Sequence, residues 1–165
     1  WWVPLVFITT FPGAGISHFE QLIGSFVAVV FFLPLLIGSG GNAGSQSATL
    51  VVRSMALGEV RLADFMRAFW REILVSLGLG LSMALAVFLL AWWRAGLHIG
   101  FVAALSMTVI VLIGSLMGMT LPFVLRKLKI DPAVASAPLV TSLADILGVI
   151  IYLSIASSLL GAVAK

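Results

Sequence analysis

Long apolar runs separated by short polar breaks set the pattern of this chain. The first runs from about Val3 to Ser17 and is interrupted by Pro12, Gly13, Ala14 and Gly15, before a loop with His18 and Glu20. The second begins near Leu22 and continues to about Met55, longer than one bilayer crossing needs. Pro34 and the glycine-rich residues 38–44 predict a break inside it. A charged stretch from Arg53 to Glu72 follows, with Gly58 and Glu59 as a turn. Within it Arg61, Asp64, Arg67 and Arg71 recur at helical spacing, which predicts an interfacial helix leading into a third span, Ile73 to Trp93. Trp92 and Trp93 form an aromatic anchor at its end. The fourth run covers Phe101 to Leu125, with Gly114 and Gly118 spaced for close helix contact. After the basic loop from Arg126 to Pro132, a fifth continues from Ala133 to Ala164. The expected fold class is all-α, a polytopic membrane protein with five transmembrane helices.

Composition narrows the picture in the same direction. Of 165 residues, 62% are hydrophobic and 9% charged, too few charges for a soluble domain of this size. Five spans of ~20 residues fill the length and leave no room for a separate soluble domain. No basic region precedes Trp1 and Trp2, so the start does not read as a cleavable signal; it reads as part of a longer protein. Cysteine is absent, which excludes disulfides and thiol chemistry. The net charge of +3 does not point to nucleic acid, because basic residues in membrane proteins gather in cytoplasmic loops. Arg53, Arg61, Arg67, Arg71, Arg126, Lys127 and Lys129 follow the second and fourth spans, against Arg94 and Lys165 on the other side. That asymmetry predicts a cytoplasmic N-terminus and, after five spans, a C-terminus outside.

Candidate chemistry is sparse. Glu20, Glu59, Asp64, Glu72 and Asp131 lie in loops, in the charged stretch or at a span boundary; Asp145 alone is deep. A carboxylate at the bilayer centre costs about 2.5–3.5 kcal/mol on the insertion scale, so it normally faces protein or water. Thr141 and Gly148 share its helical face, which gives it a polar, small-residue stripe. Asp145 is then either a structural residue bonded to another helix or an ion or proton site. One deep carboxylate excludes an intramembrane aspartyl protease, which needs two. A zinc protease would need His-Glu-x-x-His, which is missing, and His18 and His98 sit at segment ends as interfacial residues. The expectation is a protein that is not an enzyme.

Residues 34–49, Pro-Leu-Leu-Ile-Gly-Ser-Gly-Gly-Asn-Ala-Gly-Ser-Gln-Ser-Ala-Thr, are the other informative stretch. They lack the Gly-Lys-Ser/Thr ending of a phosphate loop. Tight helix packing accounts for the glycines; freed backbone carbonyls lining a wet cavity account for them too. Asn42, Ser45 and Gln46 add side-chain oxygens. Amide and carbonyl oxygens with one carboxylate suit a hard cation. One carboxylate per chain does not balance a divalent ion, and a pore on the axis of a two-fold homodimer would supply two. Mg²⁺ sheds water reluctantly, so two aspartates holding a hydrated ion fit better than a bare cage.

Residues 34–50, the Gly58-Glu59 turn, Asp131-Pro132 and residues 138–145, Pro-Leu-Val-Thr-Ser-Leu-Ala-Asp, resemble the membrane domain of MgtE-type magnesium channels and transporters, over nearly the whole chain. The resemblance implies one transmembrane domain over residues 1–165, with five helices per subunit and a pore on the axis of a homodimer. It also implies Mg²⁺ uptake through the inner membrane, with Mn²⁺ or other divalent cations as further candidate ions. The partners are then the lipid bilayer, divalent cations and a second subunit, with no nucleic acid. The family's pore aspartate falls on Asp145, and its glycine–asparagine segment on Gly41, Asn42 and Ser45; Thr141 completes the expected metal-facing set. The cytoplasmic magnesium-sensing and CBS domains that precede this domain in most members are absent from the chain. Many members carry Asn where this chain has Ala137, on the face of Asp145, which bears on selectivity; Pro12-Gly13 in the first span also departs from the usual pattern. Two other readings stay open: a carrier coupling the divalent ion to H⁺ or Na⁺, and a non-conducting membrane scaffold or sensor.

Overall fold

A computed structural model of the chain describes Gly24, residues 27–135 and residues 137–161. Four long helices make up the described residues: α1, Val27–Ala56; α2, Phe65–Ala95; α3, Leu97–Lys127; and α4, Ala137–Leu160. Short 3-10 turns, Leu62–Asp64 and Pro132–Val134, precede α2 and α4, and there is no strand among the described residues. All four helices are long and apolar enough to cross a membrane. At about 1.5 Å per residue even the 24 residues of α4 span ~36 Å, more than the ~30 Å hydrocarbon core. The expected first span, Val3 to Ser17, lies outside the described residues.

The helices sort by residue size rather than by hydrophobicity. Lipid tails are as apolar as leucine, so close approach through small residues decides which face turns inward. On α2 that face is Ser76, Gly80, Ala84, Val87 and Ala91, all buried, while the leucines between them are exposed. Central α3 packs against α1, α2 and α4; α1 also packs on α4, and α1 and α2 barely meet. The α2–α3 joint is the single residue Gly96, whose φ of 90° and ψ of 171° suit glycine alone.

Polar chemistry at the helix ends matches the turns. Gly58 closes α1 in the left-handed conformation, φ 75°. Its N–H donates to the Met55 carbonyl and that of Glu59 to the Ser54 carbonyl, the paired bonds of a Schellman cap. Before α4, the Asp131 carboxylate accepts from the Ala133 N–H at 2.9 Å and Pro132 takes the first helical position.

Two expectations need correction. The second span is not broken: α1 continues through Pro34 and through Gly38, Gly40, Gly41 and Gly44. Unwinding would leave N–H and C=O groups without water to bond them, and the glycines instead admit a neighbouring helix. A Cβ on Gly44 would stand 2.7 Å from the Gly114 carbonyl oxygen, and one on Gly114 2.5 Å from that of Gly40. Gly118 comes closer still to the Gly44 backbone. The close contact expected of Gly114 and Gly118 is therefore with the glycines of α1. Secondly, no separate interfacial helix forms from Arg53 to Glu72. Arg53 lies in the last turn of α1, and Phe65–Glu72 are the first two turns of α2. Arg67 and Arg71 are exposed there, while Phe65 packs edge-on against Phe123 of α3, ring centroids 5.2 Å apart.

Candidate ion site between two glycine-rich and acid-bearing helices

Asp145 is the ninth residue of α4, about 12 Å along the helix from its start. Thr141 lies one turn before it and Gly148 nearly one turn after, and this stripe faces α1. A Cβ built on Gly148 would sit 3.5 Å from Ile37 of α1, an ordinary packing distance. One built on Gly41 would be 2.9 Å from Cγ2 of Thr141 and 3.3 Å from Oδ1 of Asp145. Gly41, Thr141 and Asp145 are thus brought together, and Gly41 is the clearance that lets α1 pass over the carboxylate. Asp145 is half-buried, and no donor among the described residues hydrogen-bonds to its carboxylate.

Asn42 and Ser45 sit on the same stretch of α1 with different roles. Asn42 is exposed. Ser45 is half-buried, and its hydroxyl donates to the Gly41 carbonyl at 2.6 Å, so that carbonyl is engaged within the helix. The freed carbonyls expected of a broken span are therefore not what this segment offers; its open oxygens are those of side chains. Asn42, Gln46, Thr49 and Arg53 are all exposed, at steps of four, three and four residues, and form one polar stripe. An exposed amide stripe in the middle of a membrane helix is tolerated where it faces water or protein, not lipid. The spacing is present in the sequence, but Pro34 and the glycines of residues 38–44 mask the helical phase that reveals it. Ala137, at the start of α4, is exposed. His98 is exposed in the first turn of α3, as its position at a segment end suggests. Among the described residues no three His, Cys, Asp or Glu side chains group to hold a metal.

The sequence model of MgtE, described as a divalent cation transporter, matches residues 33–155, from just before the glycine-rich stretch to beyond Asp145. The chain belongs to the MgtE family of divalent cation transporters. Its relatives include the magnesium transporter MgtE of Thermus thermophilus, 39% identical over 99% of this chain. The proteins of that name from Bacillus subtilis and Enterococcus faecalis are 36% and 34% identical over 96% and 95% of the chain. The matches cover 36%, 35% and 35% of those three proteins, so the chain spans little more than a third of their length. Within the MgtE family the four described spans make this a multi-pass membrane protein.

Proposed function

We propose that this chain forms the membrane pore of a Mg²⁺ transporter. The pore would be shared by two copies about a two-fold axis, with Asp145 of each holding a largely hydrated ion. The observation that carries this reading is the half-buried Asp145 set against Gly41 of α1, a helix that also bears an exposed polar stripe. In a membrane that stripe needs a wet or protein partner, and a second copy placed against it encloses the path. The names of the relatives support Mg²⁺ as the ion.

The chemistry fits the ion. Mg²⁺ keeps several of its waters, which reach carboxylate and amide oxygens from a distance. Two Asp145 carboxylates would repel one another until a divalent cation lies between them. Asn42 bonds ion-held water, Thr141 and Ser45 border the site with hydroxyl oxygens, and Gly41 provides room. The stripe continues through Gln46 and Thr49 toward Arg53, at the basic end that the charge asymmetry assigns to the cytoplasm. The single transmembrane domain over residues 1–165, a cytoplasmic N-terminus and an inner-membrane location complete the proposal.

The test is transport by the purified chain. Reconstituted vesicles should take up Mg²⁺ well above protein-free vesicles, and the detergent-solubilised protein should have the mass of two chains. Uptake equal to that of empty vesicles contradicts a conducting role, and conduction by monomers alone contradicts the shared path.

A further inference from the structure

Ser47 departs from the habit of the other hydrogen-bonded serines and threonines in these helices. Ser39, Ser45, Thr49, Ser142 and Ser158 each donate to a carbonyl one turn back in their own helix. Ser47 instead donates to Oε1 of Glu72 on α2 at 2.9 Å, the single hydrogen bond between two side chains among the described residues. It bridges two helices that barely meet elsewhere. Ser47, Ser54, Arg71 and Glu72 border a cavity of about 100 Å³ at this junction, with Met119 of α3 on its wall.

The bond matters because of what lies above it on α1. Gly40 and Gly44 meet Gly114 and Gly118 of α3 backbone to backbone. Such a seam lets helices touch, yet it lacks the interlocking side-chain ridges that ordinarily fix rotation and slide. Polar ties on either side of the seam can supply that register. Toward one end of α1 the buried Tyr152 hydroxyl of α4 donates to the Val29 carbonyl at 2.9 Å. Toward the other stands the Ser47–Glu72 bond. Gly41, Asn42 and Ser45 lie between the two ties.

We propose that Glu72 is a positioning residue for the ion path: through Ser47 it pins α1 against rotation on the glycine seam and so sets how Gly41 and Asn42 are presented to Asp145. This rests on the reading of the α1–α4 seam as the ion path. Glu72 touches no ion in this role; it acts through the helix it holds. A carboxylate suits the task, because a hydrogen bond to a charged acceptor is stronger than one to a neutral acceptor.

The experiment is Mg²⁺ uptake by the full chain in phosphatidylethanolamine–phosphatidylglycerol vesicles. Half-saturating concentration and maximal rate are read separately, alongside thermal melting in detergent. Ser47→Ala and Glu72→Ala should each raise the half-saturating concentration by about three- to tenfold, and the double variant should be no worse than the more impaired single one. Glu72→Gln keeps an oxygen for Ser47 to bond and should stay within about twofold of the parent. Unchanged half-saturation in both alanine variants, with lowered melting alone, overturns the proposal and leaves the bond merely stabilising. Equal impairment in Glu72→Gln and Glu72→Ala also overturns it, because the charge itself would then be acting on the cation. Asp145→Asn separates the two layers. Parent-like uptake in that variant removes the ion path itself, whereas loss of uptake there with parent-like alanine variants removes only the pin.

Discussion

Gly41 and Asp145 face one another across the α1–α4 seam, and the absence of a side chain on the first keeps the second accessible. A methyl group at Gly41 would press on Thr141 at 2.9 Å and stand 3.3 Å from the Asp145 carboxylate. Gly41→Ala is expected to lower Mg²⁺ uptake by on the order of tenfold, equivalent to ~1.4 kcal/mol. Parent-like uptake in a folded Gly41→Ala protein would show that the path does not run along this seam. Ala137 offers the complementary test. It lies two turns before Asp145 on α4 and is exposed, so Ala137→Asn would add an amide able to bond ion-held water. Tighter Mg²⁺ binding or altered competition by Ca²⁺ is expected in binding titrations. Unchanged binding of both ions places Ala137 outside the pathway.

Among the elements, α1 carries the most unusual composition, with four glycines between Gly38 and Gly44 serving different ends. Gly44 is enclosed by the Gly114 backbone at 2.7 Å, whereas a Cβ on Gly38 meets nothing within 4 Å. Gly44→Ala is therefore expected to cost about 1–3 kcal/mol through overpacking against backbone that cannot yield. Gly38→Ala should be neutral or stabilising by up to about 1 kcal/mol, since alanine loses less conformational entropy in a helix. Thermal melting of the two variants in one detergent checks the contrast. Equal shifts would mean that the α1–α3 contact is not set by missing side chains. The same contrast explains why this helix was hard to read from sequence. Proline and several glycines in one run signal a break in water, and in lipid they equally signal a helix pressed onto its neighbour; the sequence of α1 alone does not separate the two. The partners for the seam, Gly114 and Gly118, lie some seventy residues on, and their spacing was legible while their partners were not.

At the scale of the whole molecule, the apolar runs from Ile73 onward located α2, α3 and α4, because a membrane span needs only length and hydrophobicity to be recognised. Their ends extend beyond the runs where charged turns such as Phe65–Glu72 continue the helix. The deep position of Asp145 and its polar stripe with Thr141 were also legible, since a lone carboxylate in an apolar run is conspicuous. The exposed stripe on α1, Asn42 to Arg53, emerges only when helical phase runs unbroken through the glycines, which Pro34 and the glycines obscure in the sequence. The structure sets Gly41 of α1 against Thr141 and Asp145 of α4, and Asn42, Gln46, Thr49 and Arg53 are exposed on α1. Mg²⁺ uptake by Asp145→Asn in vesicles shows whether the Asp145 charge holds the ion. The amide keeps the shape of the carboxylate and is cheaper to bury, so the protein should fold and assemble like the parent. Uptake should fall to near the level of empty vesicles, with Asp145→Glu retaining part of it and an altered ion preference. Parent-like Mg²⁺ uptake by a folded Asp145→Asn protein would mean that the ion is held elsewhere.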